Sequence, residues 1–209
     1  NERNDNMRIN VRPTMRNSEG MEWSHNRDLI FDGGNEYRKF EMLSLSHPTM
    51  GIDEIGWDGT NYNAFPFIAE PRRNYVYDID ANGAFYIRNS DNSENETTCD
   101  YVYVNYRLKT GDRPFGNVVI NGKWTNHADK NLYVAKYNDE DDCYSLRILQ
   151  KQGYYSYQYL LSDNNGNSSQ LDSEGNFHET ENRYQAYVYF KAQGKRYWQL
   201  VGYRQLLFK

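Results

Sequence analysis

Gln150-Lys-Gln-Gly-Tyr-Tyr-Ser-Tyr-Gln-Tyr-Leu-Leu161 decides the fold. Tyr155, Tyr157, Tyr159 and Leu161 fall on one face of an extended chain, and Ser156 and Gln158 fall on the other. That period of two belongs to a half-buried strand. Gly153 marks the strand's entrance. A polar corner, Glu174-Gly-Asn-Phe-His-Glu-Thr-Glu-Asn182, leads into a second aromatic strand, Tyr184 to Phe190. Aromatic strands joined by Gly/Asn/Asp turns read as an antiparallel β-sandwich.

The same pattern spreads outward in both directions. Tyr101–Leu108 alternates Val102, Val104, Tyr106 and Leu108 against Tyr101, Tyr103, Asn105 and Arg107. Asn117–Asn121, Tyr144–Leu149 and Gln199–Phe208 supply further strands. About seven strands over residues 97–209, with turns every 8–12 residues, is an immunoglobulin-like pattern. Residues 1–96 read as shorter strands in a loop-rich setting: Met7–Val11, Asp28–Phe31, Tyr37–Leu45, Gly51–Trp57, Asn74–Ile79 and Ala84–Arg88. The stretch Asn89–Thr97 has no apolar side chain and reads as a linker. The expectation is an all-β chain of two immunoglobulin-like sandwiches, 1–96 and 97–209. No stretch has a sustained helical period, and no internal repeat is visible.

Composition narrows the function classes. Twenty tyrosines and 16% aromatic residues argue against disorder, despite 25% charged residues and a mean hydropathy of −1.00. The net charge is −5 and the basic residues are scattered along the chain, which speaks against nucleic-acid binding. No apolar run approaches the ~20 residues that span a bilayer. Cys99 and Cys143 allow one disulfide at most, and two free thiols are the preferred reading. The opening Asn1-Glu-Arg-Asn-Asp-Asn6 lacks a methionine and a secretory leader, and reads as a processed chain that has lost upstream sequence.

Candidate chemistry is sparse. Asp78-x-Asp80-x-Asn82-Gly83 matches the opening of a calcium loop, but its twelfth position is Asn89 where a bidentate Glu belongs. A turn is the better reading. Asp163-Asn-Asn-Gly-Asn167 and Asp139-Glu-Asp-Asp142 are polar tips between strands. His25, His47, His127 and His178 have no metal-ligand spacing. Glu179 and Glu181 share a strand face without a cleft to raise one pKa. Hence no catalytic, cofactor or metal residue is assigned. The candidate contact residues are surface aromatics and a neighbour: Trp124, His127, Tyr101, Tyr103 and Trp198, since Tyr and Trp anchor interfaces.

Asn121-Gly-Lys-Trp-Thr-Asn-His127 followed by Gly153-Tyr-Tyr-Ser-Tyr-Gln-Tyr159 resembles the early-set immunoglobulin fold of glycogen-binding modules. The resemblance places His127 where such modules carry a sugar-stacking tryptophan. A longer series resembles the plug proteins of the Bacteroidota type IX secretion translocon. It comprises Gly33-Gly-Asn-Glu-Tyr-Arg-Lys-Phe40 with Ser44-Leu45, Asp78-Ile-Asp-Ala-Asn-Gly-Ala-Phe85, Asp100-Tyr-Val-Tyr-Val104, Lys151–Tyr159, Glu174–Asn182 and Arg196-Tyr-Trp-Gln-Leu-Val-Gly202. It implies the C-terminal part of a longer chain, whose first domain is completed by upstream strands. It also implies a non-enzymatic role: a periplasmic, exported protein at the outer membrane that closes a very large β-barrel translocon, its expected partner. The alternative from another class is a carbohydrate-binding immunoglobulin-like module, and a weaker third is an accessory fragment of a glycoside-processing protein.

Overall fold

The computed structural model describes residues 7–90, 94–126, 129–163 and 167–208, with the backbone alone at 95, 96 and 130. His127, the opening at 1–6 and the tip of the Asp163–Asn167 loop lie outside the described residues. The described chain is nearly all β, with one four-residue helix, α1 (Asn95–Thr98), and short 3-10 turns.

Two small strands, β1 (Met15–Arg16) and β2 (Met21–Glu22), form a hairpin of their own. Two five-stranded sheets then build the sandwich. The first orders β4 (Ile52–Trp57), β5 (Tyr62–Pro66), β7 (Tyr101–Leu108), β10 (Cys143–Lys151) and β9 (Lys136–Asn138). All its neighbours are antiparallel except β5 and β7, which run parallel with Asn63 opposite Tyr103. The second sheet is organised by β11 (Gly153–Ser162). Its first half pairs with β3 (Arg38–Met42) and β6 (Phe85–Ile87), and its second half with β8 (Asn117–Asn121) and β12 (Ser168–Gln170). A last hairpin, β13 (Asn182–Phe190) and β14 (Gln199–Phe208), pairs with itself.

The period-two faces meet in the middle. Val102, Val104, Tyr106 and Leu108 of β7 are buried against Phe40 of β3 and Tyr155, Tyr157 and Tyr159 of β11. The rings pack edge-to-face, with centroids 5.7 Å apart for Phe40 and Tyr106 and 5.1 Å for Tyr106 and Tyr157. Such geometry adds to area burial because ring edges are positive and faces negative. Tyr106 buries its hydroxyl by donating to Gln150 Oε1 at 2.7 Å. Gly153 lets the chains close up, since a Cβ there would lie 2.3 Å from the Tyr86 carbonyl oxygen.

The division near residue 96 needs correction. Strands from both sides of it share both sheets: β4 and β5 lie with β7 and β10, and β3 and β6 lie on β11. Short strands must pair their backbone groups, and the long β7 and β11 supply the partners. Three expected strands are not formed. Met7–Val11 is irregular, Asp28–Phe31 overlaps a 3-10 turn at Arg27–Leu29, and Asn74–Ile79 is irregular. In the last, Lys39 Nζ donates to Asp78 Oδ1 and to the Ile79 carbonyl, both at 2.6 Å. Cys99 and Cys143 are free and buried. Burial pushes both thiols up, which keeps them protonated and unreactive.

One buried ion pair joins these parts. Glu174, 4% exposed, accepts from Arg38 Nε at 3.0 and 3.1 Å and from the Tyr159 N–H at 2.9 Å. Removing Arg38 strands that carboxylate, so Arg38→Ala is expected to lower stability by roughly 3–5 kcal/mol. Arg38→Met with Glu174→Gln should recover most of the loss, as read from urea midpoints.

The tyrosine core also sets a limit on alkaline stability. Burial, then Tyr157, raises Tyr106 and Tyr159 well above the ordinary phenol range. Burial holds Tyr157 up at about 12, Arg38 opposing. A phenol whose folded pKa exceeds its unfolded value stabilises fully below pH ~10 and loses that contribution as pH climbs toward the folded value. For Tyr157 alone, a rise of about two units corresponds to roughly 3 kcal/mol. Tyrosinate absorbance should therefore rise in two steps between about pH 10 and 12, exposed rings first. The second step should coincide with loss of the β circular-dichroism signal.

Candidate functional site

The polar corner singled out in the sequence turns out to be a clamp. Gly34 N–H donates to Asn176 Oδ1 at 2.9 Å, and Phe177 N–H and Thr180 Oγ1 donate back to the Gly34 carbonyl at 2.9 and 2.8 Å. Asn35 Nδ2 donates to the Glu174 carbonyl at 2.8 Å, and Asn182 Nδ2 to the Gly33 carbonyl at 2.7 Å. A Cβ at Gly33 would meet the Phe177 carbonyl oxygen at 2.0 Å, so only glycine fits. Arg72 approaches Glu174 at 3.9 Å; burial, then Arg38, pulls its pKa down. Burial is the largest influence on Arg38 and would lower it as well, but Glu174, Tyr157 and Tyr159 together outweigh it and the net shift is upward. These groups satisfy one another, and the clamp is an architectural device.

The calcium-like loop is likewise a turn. Asp80 accepts from the Tyr37 N–H and, at 2.8 Å, from the Asn82 N–H, and Lys39 holds Asp78. Among the described residues no group of three or more His, Cys, Asp and Glu is placed to hold a metal. Glu179 and Glu181 are exposed. His178 Nδ1 stands 3.1 Å from Glu179 on the open surface.

The candidate aromatics lie in three places. Trp124 sits in a 3-10 turn (Lys123–Thr125) with its indole Nε1 donating to the Ser156 carbonyl at 3.3 Å. Its ring lies edge-on to Tyr133 and Tyr155, at 5.7 and 5.8 Å, and parallel to Tyr106 at 6.2 Å. The half-buried ring thus closes one end of the core and offers little platform to a sugar.

Tyr101 and Tyr103 project from the outer face of the first sheet, with Asn105 and Arg107 further along the strand. Across the strand pair stand Lys151, Leu149, Arg147 and Ser145. Tyr101 is 61% exposed, with Lys151 Nζ 5.4 Å from its ring centre. The Arg147 guanidinium lies 3.6 Å over Tyr103, donates to Asn63 Oδ1 at 3.1 Å and stands 3.8 Å from Asp58. Asp58 terminates the row. The N–H groups of Asn61 and Thr60 donate to it and hold its pKa below the usual carboxylate range. This is a face of alternating rings, cations and amides, the mixture that reversible protein interfaces use.

Trp198 is 64% exposed and lies on the loop of the last hairpin, with Lys191 Nζ 6.0 Å from its ring. The structure therefore brings Tyr101 and Tyr103 together and leaves Trp124 and Trp198 elsewhere. Sequence reasoning passed over Arg147 and Asn63, which reach the aromatic row only through the strand pairing.

No family model matches the chain, and no curated protein matches its sequence. Among solved structures it is similar to a crystal structure of a hypothetical protein from Parabacteroides merdae, with a TM-score of 0.83 and 33% identity. The match covers 98% of this chain and 52% of that one. This chain thus spans about half the length of the P. merdae protein.

Two substitutions separate core from surface. Trp124→Ala is expected to cost about 2 kcal/mol, under the fully buried range for that change. Tyr101→Ala should stay within about 0.5 kcal/mol of the parent. Thermal melts of the two variants check both values.

Proposed function

We propose that the chain is a non-enzymatic binding unit, and that its task is to close the periplasmic side of a large outer-membrane β-barrel translocon as a type IX secretion plug. The observation that carries this reading is the outer sheet face built by Tyr101, Tyr103, Arg147, Asn63 and Lys151. It mixes rings with ionic groups. A stopper that must leave when a carrier arrives needs such a face, because a mostly apolar one would bind too permanently. Six ordered stretches that resemble motifs of the plug family run through the sequence and support the same reading. Two of them, Gly33–Phe40 and Glu174–Asn182, are the two sides of the clamp, which gives their residue types a shared structural reason.

Capture from native outer membranes tests the proposal. The tagged parent protein should bring down one very large β-barrel, and recovery should fall when a substrate carrier occupies that barrel. Tyr101→Glu together with Lys151→Glu should cut recovery about tenfold, an effect within reach of one or two central interface residues. Membrane extracts that yield no barrel overturn the proposal. Binding to an α-glucan array, abolished by Tyr101→Ala, would favour the sugar-binding module instead.

A further inference from the structure

Among the described residues nothing covers the β13–β14 hairpin. Neighbouring residues of β13 face opposite ways, yet Tyr187, Val188, Tyr189 and Phe190 are 48, 47, 56 and 55% exposed. Leu200, Val201, Leu206, Leu207 and Phe208 of β14 are open to a similar degree. Both faces are therefore uncovered, and neither strand pairs with any other described strand. A lone two-stranded hairpin is marginal in water and needs a third strand or a packed layer. One this long and apolar is also an aggregation hazard when left bare. The open area continues past the hairpin: Phe31 lies 5.6 Å from Tyr184, and Ile9 and Ile30 beside it in the chain's first segment are well exposed.

Two observations identify the cover. From 182 to 208 the chain carries five Lys or Arg (Arg183, Lys191, Lys195, Arg196, Arg204) and no Asp or Glu, in a protein of net charge −5. Like charges disfavour hairpin-to-hairpin pairing with a second copy and favour a surface rimmed by carboxylates. The matched P. merdae protein, moreover, has about as much chain again outside the matched region. We propose that β13–β14 is a docking arm for a second β-sheet unit of the same polypeptide. That unit extends one hairpin edge by backbone pairing, buries the aromatic and aliphatic side chains of one face, and sets carboxylates against the cations. Strand addition of this kind takes its affinity from main-chain bonds and its specificity from alternate side chains. The inference does not rest on the plug reading, since it needs only the hairpin's exposure and charge.

Amide hydrogen exchange tests it, read by mass spectrometry on the 209-residue chain and on the full-length P. merdae protein. In the 209-residue chain, peptides of β13 and β14 should exchange at least roughly tenfold faster than those of β7 and β10, as locally unsupported elements do. In the longer protein the aligned hairpin peptides should be as slow as the sheet peptides, and high salt should speed them. Fast exchange of the hairpin in the longer protein overturns the proposal. Slow exchange in the 209-residue chain also overturns it. If that protection grows with concentration and light scattering reports a dimer, the cover is a second copy; in a monomer, the hairpin supports itself. Protection insensitive to salt in the longer protein overturns the carboxylate rim.

Discussion

The Glu174 carboxylate holds the sandwich in its arrangement. Its two oxygens take Arg38 of β3 and the Tyr159 N–H of β11, while its own carbonyl takes Asn35. A carboxylate this deep is tolerable only when it is paired and hydrogen-bonded. The geometry demands that β3, β11 and the corner after β12 arrive together. Such a pair is weak evidence of net stability, because apolar replacements often do as well. Its value here is register: a one-residue slip of β3 along β11 would take Arg38 off the carboxylate and turn Phe40 out of the core.

Strands whose own residues alternate were legible in the sequence. Tyr101–Leu108, Asn117–Asn121 and Gln199–Phe208 form with the bounds that their patterns predict. Strands whose existence depends on a partner were not. Tyr62–Pro66 fully buries only Ala64 and Pro66, with Tyr62 half-buried against the core, and becomes a strand because β4 and β7 flank it. Lys136–Asn138 and Ser168–Gln170 are short, mostly polar and defined by β10 and β11. Conversely, Asn74–Ile79 alternates well but finds no strand to pair with, and Lys39 binds its end instead. The split at 96 failed for the same reason, since a polar stretch says nothing about which strands pair across it.

The candidate surfaces were half legible. Tyr101 and Tyr103 follow from period two, but Arg147 and Asn63 come beside them from 44 and 40 residues away along the chain, through a pairing no local pattern encodes. In the sequence Trp124 is a contact candidate because tryptophan anchors interfaces. Here the Ser156 carbonyl and three neighbouring rings hold it inward. The alternation of β13 and β14 is that of ordinary sandwich strands and gives no sign that both faces stay uncovered among the described residues.

β11 has a consequence for the order of events in synthesis. It contacts β3, β6, β8 and β12, and three of these precede it in the chain. Until residue 162 has left the ribosome, those three have no common neighbour and the second sheet cannot close. Long-range pairings of this sort slow folding, because the loops between partners must be ordered first. The nascent chain therefore stays loose until most of it has been made. That delay lengthens the time in which the tyrosine-rich strands need shielding from one another.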